Sequence, residues 1–504
     1  MNNLNIAFSS SKTGDSGNWS TSWDDTTTHR EFKISASQAE SPDDLILKVG
    51  SYPKIIEVQL VAPNFNDIEQ AHPRQTFYQG LEMEHHDAQY GPQWMFSPPP
   101  LVMPLRTERG WLGIALGAPA GQNQFSGWSY RPAAQTDDDF ELVIHYDGHE
   151  VPAGHSPSVF FLTEAKTNYR EVIEWYVELL RSKGWVPSPK REIAKWWHEP
   201  MLCTWGEQCN QGYAKGCNNP SSLEINMYET QANQLRWLDH LESKGIPVGL
   251  VSMSDKWQLK RERLTPDLLK YPDLRGFADE IHGRGKKVIA WFGVWELDQA
   301  PDDWCLRTTS GAKLKLDPES PGYSEQLVED VKELISPSGY DIDGFFIDFT
   351  AQGPMRSGVV GSGKRWGIEL LHHYVKLIHD AAKSVKPDAM MMTHCCHPLF
   401  ADVTDVLRLN DYCFKKPNVV EQARFRHAVA AATSDWLINT DNWFMHSIDE
   451  WRRYLPVQPE LGIPASWFAV GVHGDATKEY KAFTEEDYKN WKKIWSKYRA
   501  VKGL

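Results

Sequence analysis

The spacing of apolar residues divides the chain into two parts with different rhythms. Up to about residue 165 the apolar runs are short and alternate with polar positions, as in Ile55–Val61 and Phe140–His145, and Pro and Gly separate them. Alternation of this kind is typical of strands with one buried face, and helical periodicity is absent. The pattern predicts an antiparallel β-sandwich over residues 1–165.

A helix and a linker follow the predicted sandwich. In Tyr169–Lys183 apolar residues recur every three or four positions, and Gly184 ends the pattern. The next segment, Trp185–Lys190, contains two prolines and is typical of a connection between domains. We therefore assign residues 166–195 to a helical linker.

From residue 196 to residue 504, short apolar runs alternate with helical patterns. Eight strands are predicted, at Met201–Trp205, Val248–Met253, Lys287–Val294, Gly344–Phe349, Met390–His394, Val406–Leu409, Trp436–Thr440 and Trp467–Val472. Helices fit between most of them, at Leu223–Ser243, Pro266–Arg284, Ser324–Ser336, Arg365–Ser384, Val419–Ala432 and His446–Leu455. The α/β order predicts a (β/α)8 TIM barrel. A doubly wound sheet would need a Gly-rich phosphate loop, which Thr204–Gln208 lacks.

Composition narrows the classes of partner and the expected location. A net charge of −14 gives no basic footprint for nucleic acid or for an anionic membrane surface, and no apolar run is long enough to span a membrane. Met1–Ile6 lacks the basic and apolar regions of a signal peptide, so a cytoplasmic location is predicted unless a leader was removed. The seven cysteines form no CxxC pair, which argues against a zinc site, and the adjacent Cys395 and Cys396 suit a reducing compartment better than a disulfide scaffold.

Polar and aromatic residues follow nearly every predicted barrel strand. Groups at the C-terminal ends of barrel strands converge on one cleft, so we expect a single site there. Asp348 ends the buried run that starts at Gly344, where an unpaired carboxylate is too costly to be core. The alternative role for Asp348 is structural: its carboxylate would cap the next helix or pair with a neighbouring arginine. The other strand-end residues are Trp205, Glu207, Asp255, Trp257, Trp295, Glu296, His394, His397, Asn410, Asp411, Asp441, Trp443, His473 and Asp475.

Carboxylates between aromatic walls are typical of glycoside hydrolysis. One carboxylate acts as nucleophile or base and the other as acid, and the 22 tryptophans offer rings on which sugars stack. No nucleophile elbow supports a Ser-His-Asp triad. The rival is a metal-dependent hydrolase with His394, His397, His473 and Asp441 as ligands, although no HxH motif follows the first strand.

An ordered series of segments resembles clan D of the glycoside hydrolases, the retaining α-glycosidases of families 27, 31 and 36. Tyr271–Trp291 is similar to their approach to strand three, and Asp255–Trp257 to the DDGW motif after strand two. Asp343–Asp348 resembles their nucleophile strand, with Phe346 where those families have Trp or Lys. Tyr169–Tyr176 resembles the helix that joins their sandwich to the barrel.

The resemblance implies a retaining α-glycosidase, similar to α-galactosidases and α-glucosidases, that needs no cofactor and no metal. Asp348 would be the nucleophile. Asp411, in a segment similar to the family 36 motif R-x-S-D-D, would be the acid/base, with a carboxyl separation of roughly 5–6 Å. Asp441 is the alternative acid/base, because the segment from Thr440 to Ile448 resembles the family 31 equivalent. The expected substrate-binding residues are Trp205, Asp255, Trp257, Trp295, His394, Arg408, Trp443, His473 and Asp475.

Three other functions stay open. They are a transglycosidase of the raffinose-synthase kind, a metal-dependent hydrolase on the same barrel, and a non-catalytic sugar-binding relative. A carbohydrate is the expected partner, and a homo-oligomer stays open because sandwich-plus-barrel enzymes often assemble. We also expect the segment from Glu84 to Trp94 to reach the barrel mouth.

Overall fold

The structure, a computed structural model, consists of two antiparallel sheets, a connecting helix and an eight-stranded parallel barrel. It describes residues 4–11, 18–62, 69–81, 95–133, 139–188, 192–217, 223–413, 415–474 and 477–504. Asp475 and the segment 84–94 lie outside these residues. The predicted fold class, a TIM barrel after an N-terminal β-sandwich, is confirmed.

The N-terminal sheets contain twelve strands in the described residues. They are β1 (Asn5–Ser10), β2 (Trp19–Asp25), β3 (His29–Ala36), β4 (Asp44–Gly50), β5 (Ile55–Gln59), β6 (Gln70–Ala71), β7 (Phe77–Gly80), β8 (Val102–Thr107), β9 (Gly110–Gly117), β10 (Gly127–Pro132), β11 (Phe140–His145) and β12 (Ser158–Leu162). One sheet has the order β1-β4-β11-β10-β7, and the other has the order β2-β3-β12-β9-β8-β5-β6. Alternation places Leu45, Leu47 and Val49 of β4 in the core.

The helix α1 (Tyr169–Ser182) packs on the outer face of the seven-stranded sheet and against the barrel. Gly113 and Gly117 of β9 permit the approach, because a Cβ on Gly113 would lie 2.4 Å from Val172. On its other side, the Tyr176 hydroxyl hydrogen-bonds Nε2 of His397 at 2.9 Å. Since both tyrosine and histidine are buried there, α1 joins the two parts through packed contacts.

The rest of the chain forms the barrel, its helices and two small sheets. The strands are β13 (Met201–Cys203), β14 (Leu250–Met253), β15 (Lys287–Gly293), β16 (Cys305–Thr308), β17 (Lys313–Leu316), β18 (Gly344–Asp348), β19 (Val359–Val360), β20 (Met390–Thr393), β21 (Val406–Arg408), β22 (Leu437–Asn439), β23 (Ala465–Ser466), β24 (Gly471–His473) and β25 (Tyr480–Ala482). The helices are α2 (Trp205–Ala214), α3 (Leu223–Asn226), α4 (Gln231–Ser243), α5 (Leu274–Gly283), α6 (Pro321–Ile335), α7 (Gly367–Val385), α8 (Val419–Thr433), α9 (Ile448–Tyr454), α10 (Gln458–Leu461) and α11 (Glu485–Lys502). Across the described segments, every helix is too short or too polar to cross a bilayer.

Eight parallel strands close the barrel in the order β13-β14-β15-β18-β20-β21-β22-β23. Met201 of β13 pairs with Ala465 of β23, and a bridge between Asn439 and Ile463 joins β22 to the segment before β23. The strands are buried along nearly their whole length, which explains why they are continuous apolar runs in the sequence.

The predicted eighth strand, Trp467–Val472, is wrong in position. The barrel strand is β23, Ala465–Ser466, and Gly471–His473 belongs to a separate hairpin with Tyr480–Ala482. The buried Glu207 carboxylate accepts hydrogen bonds from the backbone amides of Ala469, Val470 and Gly471. These amides are therefore satisfied by a side chain instead of a neighbouring strand.

Two helix predictions also differ from the structure. Leu223–Ser243 is two helices, because Thr230 caps a new helix through the amide of Asn233. The helix predicted from Pro266 begins at Leu274, after the cap Asp273. Helices α2 (Trp205–Ala214) and α11 (Glu485–Lys502) of the structure were not predicted.

A buried carboxylate, Asp343, braces the end of the barrel opposite the predicted site. It accepts hydrogen bonds from His282 at 2.7 Å, Lys287 at 2.9 Å and Lys386 at 3.1 Å, and from the amide of Val288 at 3.0 Å. Burial alone would raise the pKa of Asp343, but these partners lower it to about 2. The carboxylate thus ties β15 to the segment that leads into β18.

We expect Asp343→Asn to lower the free energy of unfolding by about 1.5–3 kcal/mol at neutral pH, because the fully buried carboxylate loses its charged hydrogen bonds with Lys287 and Lys386. The control Asp279→Asn breaks an exposed pair with Arg275 and should cost less than about 0.5 kcal/mol. Because the folded pKa is depressed, the stabilisation is complete above the usual pKa of 3.8 and is lost as pH falls toward 2. Urea unfolding at several pH values measures it, and equal losses for both variants would contradict the expectation.

Candidate active site

A small pocket opens at the C-terminal end of the barrel and is lined by residues from seven of its eight strands or the segments that follow them. Its volume is about 150 Å³. The lining residues are Cys203, Trp205, Ser254, Asp255, Trp291, Phe346, Asp348, Phe349, Arg408, Asp411, Trp443, Phe444 and Trp467. Seven of the thirteen are aromatic, so the pocket presents flat apolar faces around a few charged groups.

The chain turns sharply where the barrel strands end at this pocket. Five residues just after strands have positive φ, a conformation that costs energy for residues other than glycine. They are Lys256 (75°), Trp295 (73°), Phe349 (59°), Asn410 (63°) and Asp441 (53°). Such strained positions concentrate at functional sites, and here they redirect the chain next to Asp255, Asp348 and Asp411.

Asp348 occupies the last position of β18 and points into the pocket. Its Oδ2 accepts a hydrogen bond from Nε1 of Trp291 at 3.1 Å, and its Oδ1 accepts one from the amide of Phe349 at 2.9 Å. Nη1 of Arg408 lies 3.5 Å from Oδ2, and Nδ1 of His394 lies 3.7 Å from Oδ1. The carboxylate is therefore fixed in orientation while its side chain stays 14% exposed.

Arg408, the last residue of β21, joins three carboxylates. Its Nε donates to Asp441, its Nη2 donates to Asp411, and its Nη1 faces Asp348. The guanidinium lies 4.7 Å from the ring centre of Phe346 and is almost fully buried. Within the described lining of the pocket it is the single cationic side chain, so all three carboxylates depend on one positive charge.

Asp411 and Asp441 both contact Arg408 but differ in access to the pocket. Asp411 lines the pocket with its side chain 16% exposed, whereas Asp441 is fully buried and lies behind the lining. Oδ1 of Asp441 also accepts hydrogen bonds from the backbone amides of Asn442 at 2.6 Å and Trp443 at 2.8 Å. The Asp441 carboxylate is therefore occupied on both oxygens by protein donors.

Burial is the main cause that raises the pKa of Asp411 to about 7; Arg408 opposes the rise, and the nearby carboxylates of Asp441 and Asp348 add to it. Burial also raises the pKa of Asp441, and there Arg408 and the two backbone amides oppose the rise. A carboxyl group with a pKa near 7 can both give and take a proton at neutral pH.

Asp255 follows β14 and forms another side of the pocket. Burial raises its pKa to about 7, against the effect of Arg261, whose Nη2 lies 3.9 Å away. Arg261 in turn contacts Glu296, which accepts a hydrogen bond from Nζ of Lys315 at 3.1 Å. These charges link the loop after β14 to the connection between β15 and β18 beside the pocket.

The remaining predicted site residues fall into two groups: some line the pocket, and others lie outside the lining. Trp205 and Trp443 line the pocket. Trp257 and Trp295 are fully buried outside the lining and donate to the carbonyls of Trp291 and Thr350, at 2.8 and 3.3 Å. His394 lies behind Asp348 and hydrogen-bonds Thr350 at 2.7 Å.

The histidines of the metal hypothesis lie on different elements. His397 contacts Tyr176 of α1, and His473 of β24 lies against the ring of Tyr213 with 4.4 Å between ring centres. Across the described segments, no group of three or more His, Cys, Asp or Glu side chains is arranged to hold a metal ion.

Several lining residues were not predicted as site residues. Cys203 and Ser254 end strands but are small, and Phe349 and Phe444 follow Asp348 and Trp443 directly. Trp467 was predicted as the first residue of the eighth strand. The signal that could have found these residues is adjacency to a strand end, since they stand within two residues of a predicted site residue or a strand terminus.

No protein-family model matches this sequence, and no curated protein matches it by sequence. Solved structures match over 96% of the chain. One is an uncharacterized protein from Listeria monocytogenes in complex with α-D-glucose, β-D-glucose, magnesium and calcium, with a TM-score of 0.60 and 11% identity. A second is a cycloalternan-degrading enzyme from Trueperella pyogenes, with a TM-score of 0.58 and 13% identity. A third is a GH31 family sulfoquinovosidase from E. rectale in complex with an aza-sugar inhibitor, with a TM-score of 0.63 and 11% identity.

The chain spans 50% of the Listeria protein and 72% of each of the other two. Glycoside hydrolase family 31 is one of the three families that the sequence motifs resemble, and the shared fold agrees with that resemblance. At identities of 11–13% the likeness shows the fold, and the chemistry has to be argued from the pocket.

We expect Arg408→Met to destabilise the protein by at least about 3 kcal/mol at neutral pH, because the buried Asp441 and the partly buried Asp411 and Asp348 lose their common cation. The pKa values of Asp411 and Asp441 are already raised in the folded state, and without Arg408 they rise further. The folded state then holds more protons than the unfolded state, so the variant loses stability relative to wild type as pH rises from about 5 to about 8.

Urea unfolding across this pH range measures the effect. Arg424→Met is the matched control, since it breaks an exposed pair between Arg424 of α8 and Glu460 of α10. A stability difference between Arg408→Met and wild type that stays constant with pH would contradict the assignment.

Proposed function

We propose that the protein is a retaining α-glycosidase that cleaves a single terminal sugar from an α-linked oligosaccharide or glycoside. The observation that carries the proposal is the pair Asp348 and Asp411. Both line one aromatic pocket and contact Arg408. Donors from Trp291 and the backbone orient Asp348, and Asp411 has a pKa of about 7. The double-displacement mechanism requires an oriented nucleophile and a second carboxyl group that can hold a proton at neutral pH.

The solved neighbours support the same chemistry by analogy. One is named as a family 31 sulfoquinovosidase and was solved with an aza-sugar inhibitor. The cycloalternan-degrading enzyme was also solved in complex with a covalent intermediate. A covalent intermediate is the mark of a retaining mechanism, in which the nucleophile bonds to the sugar.

In the proposed first step, Asp348 attacks the anomeric carbon as the bond to the leaving oxygen breaks. Asp411 donates its proton to that oxygen, so the aglycone leaves as an alcohol and a covalent glycosyl-enzyme ester forms. In the second step Asp411, now a carboxylate, takes a proton from water. The resulting hydroxide attacks the anomeric carbon and releases Asp348 with net retention.

The size and polarity of the pocket favour one sugar ring. A volume of about 150 Å³ is well below the ~300–1,000 Å³ of typical ligand pockets. Within the described residues, Nη1 of Arg408 and Oδ1 of Asp255 are buried and have no hydrogen-bond partner. Buried polar atoms need partners, and sugar hydroxyls would supply them while Trp205 and Trp443 cover the ring faces.

Asp348→Ala should abolish turnover of α-glycosides without unfolding the protein, because it removes the covalent route. The substrate is first identified with a panel of nitrophenyl α-glycosides, assayed with and without chelator. Azide added to the variant should restore part of the activity and give a glycosyl azide of β configuration, since azide attacks from the side that Asp348 occupied.

The matched control is Asp303→Ala, which removes a carboxylate that does not line the pocket. If Asp348→Ala retains more than a few per cent of the wild-type rate, Asp348 is not the nucleophile. Chelator-sensitive activity would favour the metal hydrolase, and sugar transfer to an added saccharide in preference to water would favour the transglycosidase.

Asp411→Ala should lose activity on substrates with poor leaving groups and keep most glycosylation of activated aryl α-glycosides, which need little protonation. The deficit should be about 10²–10⁴-fold on the poor leaving group. Asp441→Ala should instead lower the rates on both kinds of substrate together, because it releases Arg408. If Asp441→Ala shows the leaving-group dependence and Asp411→Ala does not, Asp441 is the acid/base.

A further inference from the structure

The backbone that carries Asp411 is held from one side by a buried arginine. Arg426 of α8 is 1% exposed, and its Nη1 donates to the carbonyls of Leu409, Asn410 and Asp411 at 3.0, 2.9 and 2.6 Å. Its guanidinium also lies 4.8 Å from the ring centre of Tyr412. One side chain thus contacts three consecutive peptide groups around the proposed acid/base.

The N-terminal sheets hold the same backbone from the other side. Asn410 is fully buried at a φ of 63°, and its Nδ2 donates to the carbonyl of Met95 at 2.9 Å. Met95 belongs to the buried segment Met95–Pro98, which leads into β8 and which we call the strap. The strap therefore contacts the residue that directly precedes Asp411.

The strap also contacts the two strand ends next to Asp348. The carbonyl of Ser97 accepts a hydrogen bond from Oγ1 of Thr350 at 2.6 Å, and the amide of Ser97 donates to the carbonyl of His394 at 3.2 Å. His394 in turn approaches Asp348 to 3.7 Å. A single segment of the sandwich thus bridges the strand ends that carry both proposed catalytic carboxylates.

We propose that Arg426 and the strap form a two-sided clamp on the backbone of Asp411, and that Arg426 and Asn410 are positioning residues for proton transfer to the leaving oxygen. This inference rests on the proposed function. Neither side of the clamp contacts the Asp411 carboxylate, which contacts Arg408. Arg426 contacts the backbone carbonyls of residues 409–411, and the strap contacts the side-chain amide of Asn410.

Geometry explains why such a clamp would matter to one step in particular. Proton transfer requires the acid within hydrogen-bond reach of the leaving oxygen, and a displacement of about 1 Å can cost about 10²-fold in rate. The backbone at Asn410 is in a sparsely populated conformation, which persists only where its surroundings impose it. Loss of either side of the clamp leaves Asp411 present and ionisable but displaced.

The test compares Arg426→Lys and Asn410→Gly with wild type on two substrates. Lysine keeps the positive charge of Arg426 but lacks its planar guanidinium. Glycine adopts the positive φ of residue 410 but lacks the side-chain amide of Asn410. The probes are the dinitrophenyl and the methyl α-glycoside of one sugar, chosen by the nitrophenyl panel. The readout is the ratio of kcat/KM on the dinitrophenyl glycoside to kcat/KM on the methyl glycoside.

We expect this ratio to rise by at least about 10-fold in both variants, because the methyl leaving group needs the acid and dinitrophenolate does not. The control Gln59→Ala removes a buried amide that donates to the Glu69 carbonyl at 2.7 Å in β5 of the sandwich, and its ratio should change less than about 2-fold. A merely structural role would lower both rates in proportion, so an unchanged ratio in Asn410→Gly overturns the proposal.

Asp411→Ala, assayed beside them, distinguishes a failure of the clamp from a failure of the proposed function. If its ratio rises and that of Asn410→Gly does not, the acid/base assignment stands and the clamp is wrong. If the ratio of Asp411→Ala does not rise, the proposed function itself fails. Should Arg426→Lys not fold, Asn410→Gly alone decides.

Discussion

One buried guanidinium, that of Arg408, joins three carboxylates at the pocket, those of Asp348, Asp411 and Asp441. Arginine cannot lose its proton in a protein, so its charge is permanent. Burial alone would lower its pKa, but Asp441, Asp411 and Asp348 raise it further above its usual range. One positive charge cannot balance three negative charges at low dielectric, and the carboxylates of Asp441 and Asp348 add to the burial that raises the pKa of Asp411 to about 7. The general acid of the proposed mechanism follows from this imbalance of charge.

The fold supplies the separation and the shielding that this arrangement needs. Asp348, Arg408 and Asp441 come from or follow three different strands, β18, β21 and β22, so the distances among them are set by the barrel. Phe346 and Trp467 lie beside the guanidinium, at 4.7 and 5.4 Å from their ring centres, and exclude water from it. The sandwich contributes as well, because the strap contacts the strand ends beside both carboxylates. Neither part of the chain builds the site alone.

Local sequence patterns predict the strands well and the direction of side chains poorly. Seven of the eight barrel strands lie within their predicted ranges, because parallel strands buried on both faces are continuous apolar runs. The eighth prediction was wrong because Glu207, more than 250 residues away, binds the amides of the run. Helix α11 was not predicted, although its N-terminus carries a capping box of Thr484 and Asp487 that is visible in the sequence. Trp205 and Trp257 both follow strands, yet one lines the pocket and the other donates to a backbone carbonyl in the core. Adjacency along the chain cannot distinguish them, since the direction depends on loop conformation.

The same reasoning separates Asp411 from Asp441, which the sequence left as alternatives. Both follow a barrel strand, both contact Arg408, and burial raises the pKa of both. They differ in what occupies their oxygens. Asp441 is sealed and binds two backbone amides as well as Arg408, so its carboxylate has no route to a leaving oxygen. Asp411 keeps part of its side chain in the pocket. In the proposed mechanism, the buried Asp441 carboxylate fixes the orientation of Arg408, and the partly exposed Asp411 carboxylate transfers the proton.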